Sequence, residues 1–285
     1  MTDAVSFPPP PLASVGPPPA ARCVLVVPCF NEAARLDPAA FQELVDRDPD
    51  VAVLFVDDGS KDDTGRVLAA LAESRPGRLA VMTMPQNVGK GEAVRRGLSA
   101  AIGSDAAYVG YWDADLATPL DEVDDFIRLL DRDRDIDAVV GARVKLLGHE
   151  IVRRPLRHYA GRAFAAAAAA VLGLPMYDTQ CGAKVFRVGP VSADALAEPF
   201  ASRWIFDVEL LGRIAARRPD HPYGGVVERP LGRWVDVAGS KVGLKAVLGA
   251  AFGLWRTARA LAAYRETAAV GRPDAVVEPV RNRAA

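Results

Sequence analysis

Cysteine, histidine and net charge are all scarce in this sequence, and each shortage closes off a class of function. Only three cysteines occur, Cys23, Cys29 and Cys181, with no CxxC pair among them. An odd, unpaired set points to a reducing compartment and argues against a disulfide scaffold or a zinc site. Three histidines, His149, His158 and His221, build no HExxH motif and no plausible Ser/His/Asp set, and no GxSxG occurs. His158 reads as a helix-face residue rather than a base. A net charge of −1 leaves the molecule without polycationic character, so bulk nucleic-acid binding is unsupported. No clean apolar run reaches the roughly twenty residues of a transmembrane helix. The nearest stretch, Phe164 to Met176, is too short and too rich in alanine. The N-terminus lacks a basic segment followed by an apolar core, so it does not read as a secretory signal. GxGxxG is missing after the first apolar run, and Gly89-Lys90 has no glycine five positions upstream, which excludes a Walker loop. The expectation is a cytoplasmic protein, soluble or peripheral on a membrane.

What is present is ample material for one large domain, since half of the 285 residues are apolar. Residues 1–21 are dominated by proline and read as a disordered leader; residues 267–285 read as a flexible tail. Between them, apolar runs of strand length alternate with helical segments. Cys23–Val27, Val51–Val56, Leu79–Met84, Tyr108–Trp112 and Ala138–Gly141 are the predicted strands. Residues 38–47, 62–73, 91–102 and 121–130 are the predicted helices. This alternation predicts an α/β fold with a mainly parallel, doubly wound sheet.

The second half is less regular. A long alanine-rich helix is predicted over 156–172, an edge strand over 181–186, and a helix over 205–217, with Trp204 and Phe206 reading as core. The last helix, 242–266, carries Lys241 at its approach, then Lys245, Arg256, Arg259 and Arg265, with no acid before Glu266. Leu244, Val247, Leu248, Ala251, Trp255 and Ala258 fall near helical spacing. Two readings stay open: the helix packs on the domain, or it lies as a basic amphipathic helix on an anionic membrane surface.

The chemistry is concentrated at the ends of the strands. Tyr108 to Pro119, YVGYWDADLATP, runs an apolar strand directly into Asp113 and Asp115. In an open α/β sheet the C-terminal strand ends are where ligands bind. Two hard oxygen ligands in i, i+2 spacing suit Mg²⁺ or Mn²⁺, which in turn holds a diphosphate. The plainer reading is an acidic loop capping the next helix. Three other strand ends argue for the first reading: PCFNE (28–32), DDGSKDDT (57–64) and NVGKG (87–91). In a parallel sheet all four converge on one edge.

VVPCFNE, VDDGSKDDT, NVGKGEAVRRG and DADL, in this order, resemble the inverting family 2 glycosyltransferases, which have the GT-A fold. MYDTQCGAKVF (176–186), RWIFDVELL (203–211) and VAGSK (237–241) are similar to the dolichyl- or polyprenyl-phosphate glucosyltransferase branch. The resemblance implies a nucleotide-sugar half over 22–145, an acceptor half over 146–241 and a helical C-terminal extension. It places Pro28, Asn31 and Glu32 beside the donor nucleotide, Asp57 against its base and Lys90 beside base and ribose. Asp113 then faces ribose or diphosphate, and Asp115 with Asp113 holds Mg²⁺ or Mn²⁺. Mannosyl members often carry Gln two residues after the second acid; Ala117 stands there instead. Arg143 and Arg157 match arginines that grip an acceptor phosphate; Arg153 and Arg154 read as a solvated pair. Asp178, Gln180, Asp207 and Glu209 are either contacts to sugar hydroxyls or, for the acids, ion pairs with Lys184 and Arg203.

The implied reaction is hexose transfer, glucose favoured, from a UDP-sugar to polyprenyl phosphate on the cytoplasmic membrane face, with a membrane protein as a possible partner. A phosphate acceptor needs no strong base, because its second pKa is about 6. Three alternatives remain: GDP-mannose as donor, a soluble hydroxyl acceptor with Asp178 or Asp207 as catalytic base, and a non-catalytic sugar-nucleotide-binding protein.

Overall fold

The computed structural model describes residues 13–15, 21–152, 155–235 and 244–270; side chains of 13–15, 155–160, 244–248 and 269–270 lie outside that description. In chain order the elements of the first half are β1 (Ala13–Val15), β2 (Cys23–Cys29), α1 (Pro38–Arg47), β3 (Val51–Asp57), α2 (Thr64–Ser74), β4 (Leu79–Thr83), α3 (Lys90–Ile102), β5 (Tyr108–Trp112), α4 (Val123–Arg132) and β6 (Ala138–Ala142). The second half adds β7 (Glu150–Val152), α5 (Pro155–Leu172), β8 (Ala183–Arg187), α6 (Pro190–Ala197), α7 (Phe206–Ala216), β9 (Val226–Pro230), β10 (Arg233–Val235) and α8 (Leu244–Val270).

Eight strands form one sheet in the order β1-β4-β3-β2-β5-β8-β6-β9, while β10 and β7 pair separately. The chain lays β3 and β4 to one side of β2 and then returns to place β5 on the other side, in parallel. That reversal makes the C-terminal ends of β2 and β5 the topological switch point, where an open α/β sheet has its crevice. Every residue of β3 and β5 is buried, as continuous apolar runs covered on both faces require. The pleat sends Val24 and Val26 into one core with α3, α5, α7 and α8, and Cys23, Leu25 and Val27 into the other with α1, α2 and α4.

Local chemistry accounts for the helix starts. Asp37 caps α1 by accepting from the amides of Ala39 and Ala40, and Pro38 fills the first turn. Gly97 lets α3 lie close on the sheet, since a Cβ there would press into Val26 and Val56.

Four expectations need correction. The predicted edge strand is β8, which sits inside the sheet, antiparallel to both β5 and β6. It can do so because its one charged inward group, Lys184, is fully buried against matching partners. Ala13–Val15 is paired with the edge of β4 rather than structureless, since β4 offers an unpaired ladder there; the rest of the leader lies outside the described residues. α8 runs through Val270, beyond the expected start of a loose tail. The reading in which the apolar stripe of α8 packs on the domain also fails at two of its positions: Ala251 and Trp255 point outward, whereas Gly253, Thr257 and Leu261 face the domain. Small residues win the inner position because they let the helix approach α7 closely; Gly253 meets Ile205, and Leu261 fits against Gly212. The VAGSK segment, Arg153 and Arg154 lie outside the described residues.

Candidate active site

The ends of β2, β3 and β5 and the first turn of α3 enclose a cleft of about 460 Å³. Pro28, Phe30, Glu32, Arg35, Asp58, Asn87, Lys90, Asp113, Asp115, Arg203 and Trp204 line it. Of the residues assigned to the donor from sequence, Pro28, Glu32, Lys90 and Asp113 are therefore brought together. Asn31 and Asp57 are not among the lining. Asn31, with φ of 55°, fastens the β2 exit loop to the next one: its amide donates to Ser60 Oγ and its Oδ1 accepts from the Lys61 amide. Asp57 is buried and accepts from the Ser60 amide at 2.9 Å. The carboxylate facing the cleft from that turn is Asp58, which accepts from Asn87 Nδ2 and from the amides of Val88 and Gly89.

Three carboxylates give the cleft its electrostatic character. Asp113 Oδ1 receives Lys90 Nζ at 2.5 Å. Among the described residues, Asp115 accepts only its own loop's Ala117 amide, at 3.2 Å. Burial raises its pKa, and the neighbouring Asp113 charge raises it further. Glu32 is likewise raised, by burial first and then by Asp115 and Asp113, although Arg35 holds its Oε1 at 2.5 Å. Its other oxygen, Oε2, is buried without a partner among the described residues. Burial alone would lower the pKa of Lys90; the surrounding carboxylates, Asp113 foremost and Asp207 next, outweigh it and raise it.

This set fits a hard divalent cation. No three His, Cys, Asp or Glu side chains among the described residues close on one point. Asp113 and Asp115 would thus supply two oxygens, and diphosphate and water the remainder, the usual arrangement for Mg²⁺ beside phosphate. Leu116 holds φ of 51°, an uncommon state for a non-glycine residue, directly after the second acid. Gly182, whose carbonyl accepts from the Asp113 amide, lies so close that a Cβ there would overlap the Asp113 carboxylate.

The second half of the chain is organised by ion pairs. Asp178 is buried and takes a two-point fork from Arg143, Nε at 2.6 Å and Nη2 at 2.7 Å. The peptide of Asp178 is held in turn by Glu228, which accepts from the amides of Tyr177 and Asp178 at 2.7 Å each. Asp207 is buried against Lys184 at 2.7 Å and accepts from the Tyr111 hydroxyl. Lys184 also donates to Tyr111 Oη and to the Cys181 carbonyl. For Asp178 and Asp207 the ion-pair alternative is thus the one in the fold, although Asp178 pairs with Arg143 rather than with Lys184 or Arg203. Gln180 Nε2 and Thr179 Oγ1 beside Asp178 are buried and lack a partner among the described residues. Arg157 lies on α5, but its side chain is outside the described residues.

Several cleft residues escaped the sequence reading. Trp204 read as core but is 72% exposed, because it stands on the loop before α7 and leaves Phe206 to fill the interior. Arg203 donates to Asn87 Oδ1 and overlies Gly89, whose φ of 96° and missing Cβ make that approach possible. Arg35 was detectable in principle, three residues beyond Glu32 and so on its side of a turn; Gly182 carried no signal of its own.

Residues 24–192 match the model of a family described as Glycosyl transferase family 2. Dolichyl-phosphate beta-glucosyltransferase ALG5C of Trichomonas vaginalis is 31% identical over 252 residues, covering 84% of this chain and 71% of its own. The dolichyl-phosphate beta-glucosyltransferase of Dictyostelium discoideum is 28% identical over 233 residues, 76% of this chain and 68% of its own. Among solved structures, glucosyl-3-phosphoglycerate synthase from Mycobacterium tuberculosis, in complex with Mn²⁺, UDP and glucosyl-3-phosphoglycerate, matches with a TM-score of 0.56. That likeness covers 90% of this chain and 82% of the other at 20% identity, a likeness of fold.

Proposed function

The chain belongs to glycosyl transferase family 2, in its dolichyl-phosphate beta-glucosyltransferase branch, and we propose that it transfers glucose from UDP-glucose to a polyprenyl phosphate. It is a hexosyltransferase with the GT-A fold. The observation that carries the reading is the cleft itself: Glu32, Asp113 and Asp115 are crowded and incompletely neutralised, and Arg35, Lys90 and Arg203 line the same space. UDP as the nucleotude carrier is supported by structural neighbours bound to UDP or UDP-glucose, and the lipid phosphate by the names of the relatives.

An acceptor phosphate oxygen attacks the anomeric carbon and the nucleoside diphosphate departs from the opposite face. Negative charge grows on the diphosphate as the bond breaks, and preorganised cations there lower the barrier. Lys90, Arg35 and Arg203 are the chain's own cations at that position. A Mg²⁺ or Mn²⁺ ion held by Asp115 and Asp113 supplies the remaining positive charge when bound. Asp178 and Asp207, the two candidate bases, are each held in a buried ion pair, with Arg143 and Lys184, rather than presented free to an acceptor hydroxyl. An acceptor that arrives already deprotonated suits such a site; a phosphate monoester, with its second pKa about 6, is one. Arg143, oriented by Asp178, and Arg157 are the assigned phosphate contacts, for which the guanidinium fork is suited. The unpartnered Gln180 Nε2 supports a hexose contact at the TQC turn, since a sugar hydroxyl would relieve a buried donor without an acceptor. No helix among the described residues is long and apolar enough to cross a membrane; the proposed acceptor brings the protein to the cytoplasmic bilayer surface.

The test is transfer of label from UDP-glucose, UDP-galactose or GDP-mannose, with Mg²⁺ or Mn²⁺, in the presence and absence of polyprenyl phosphate. Label from UDP-glucose entering the organic phase only with lipid is the expected result. Preference for GDP-mannose would replace the donor. Sugar-nucleotide turnover into a water-soluble product without lipid would replace the acceptor.

A further inference from the structure

Exposed apolar bulk is unevenly spread over this molecule. Eight large apolar side chains are exposed among the described residues, and six of them, Phe30, Leu146, Leu147, Trp204, Phe252 and Trp255, belong to one edge. Phe30 follows β2 and Leu146 and Leu147 follow β6, strands that run in the same direction, so both exits open on the edge that carries the cleft. Trp204 lines the cleft. The placement of Phe252 and Trp255 follows from how α8 packs. Gly253 meets Ile205 and Leu261 meets Gly212, so α8 runs alongside α7 in the same sense, and its Phe252 end lies level with the cleft loop.

The outer face of α8 at this level is unlike an ordinary solvated helix face. Phe252 is 60% exposed and Trp255 is 53% exposed, and their rings stack with centroids 5.7 Å apart. Arg259 lies over the Trp255 ring at 5.2 Å, and Arg256 is exposed beside it. No acidic residue occurs between Leu244 and Arg265. Aromatic rings with arginines and no acid match the boundary between acyl chains and anionic headgroups. A water-exposed aromatic pair has no such rationale.

We propose that this edge docks on an anionic bilayer, with Phe252 and Trp255 as apolar anchors and Arg256 and Arg259 meeting the headgroups. The docking rests on the lipid-phosphate reading, and it adds the orientation: the cleft faces the membrane, so an acceptor phosphate enters at headgroup level without leaving the bilayer. The exposed Leu146–Leu147 tip forms the second contact point, on the other flank of the sheet.

The test uses the full chain and vesicles of phosphatidylcholine with or without phosphatidylglycerol, free of polyprenyl phosphate. Sedimentation with the anionic vesicles alone, weakened by salt, is expected. F252S/W255S should lose about tenfold or more in partitioning, because two interfacial rings are removed. Its melting temperature should match the wild type, and so should its transfer to a short-chain, water-soluble prenyl phosphate, while transfer to vesicle-embedded acceptor falls with partitioning. Equal vesicle binding by F252S/W255S would overturn the surface assigned. So would a wild-type dimer that the variant abolishes, since a second copy would then be the occupant. Wild type that transfers to the short-chain acceptor but ignores anionic vesicles would overturn the docking and leave the proposed reaction standing. Vesicle binding without transfer to any lipid phosphate would do the reverse.

Discussion

In the cleft, Glu32, Asp113 and Asp115 repel one another, one carboxylate oxygen has no partner among the described residues, and Lys90 and Arg35 neutralise only part of the charge. In the second half of the chain, Asp178, Asp207 and Glu209 are as deeply or more deeply buried, yet each has its own cation at 2.6 to 2.7 Å. Glu209 also accepts from the Ala201 amide, and its partner Arg213 is spent on the carbonyls of Ala195, Glu198 and Pro199. The difference separates two uses of buried charge. A matched carboxylate is committed to holding elements together or to orienting its cation, as Asp178 orients Arg143; an under-neutralised acidic cluster costs stability and favours a cation.

Breaking a matched pair should have the largest effect. Lys184→Met removes the cation from the buried Asp207 carboxylate, leaving it the Tyr111 hydroxyl, and should cost about 3–5 kcal/mol in denaturant unfolding. Adding Asp207→Asn should recover much of that loss; no recovery would mean that Lys184 matters for packing and not for charge.

Next comes the cluster. Asp115→Asn should lower transfer roughly 10²–10³-fold, the scale for losing one electrostatic element of a transition-state site. Its stability should move the other way. Burial and Asp113 raise the Asp115 pKa in the fold. A carboxyl with a raised folded pKa loses stability as pH rises from its unfolded value, about 3.9, through the folded one. The variant should therefore melt at or above wild type at pH 7, with the gain vanishing below about pH 4. Adding Mn²⁺ with UDP should raise the melting temperature of wild type and not of Asp115→Asn. A variant that melts well below wild type at neutral pH would place Asp115 among the structural pairs.

Gly182→Ala tests geometry without altering charge. The added methyl must displace the Asp113 carboxylate, and a displacement of that order near the chemistry costs roughly 10²-fold in rate. Stability should change far less than in Lys184→Met. Unchanged kcat would show that Asp113 can be moved freely.

The smallest effect is expected from Arg157→Ala, which should raise the KM for the lipid phosphate about tenfold, the scale of one charge-assisted contact, and leave the donor KM in place. An unaltered acceptor KM would remove Arg157 from the acceptor site.

The strand ends were legible because apolar runs, turn residues and acids occupy contiguous positions: YVGYW followed by DAD is a local signal, and parallel connection by helices brings such ends to one edge. Partners were less legible. Asp207 and Lys184 are 23 residues apart and meet only because β8 inserts beside β5, which also supplies the Tyr111 hydroxyl. Arg143 and Asp178 are separated by 35 residues and by the whole of α5.

The sequence by itself therefore determined the class of fold, the edge where the polar strand ends converge, and Asp113 and Asp115 as acids delivered there, since these follow from periodicity and from neighbours in the chain. Only the tertiary structure decided which carboxylates are neutralised, which loop residues face the cleft, and which side of α8 is covered. Charge compensation depends on distances between remote segments. Helix facing depends on how closely a surface can be approached; the glycine at 253 admits α7 where the rings of Phe252 and Trp255 do not.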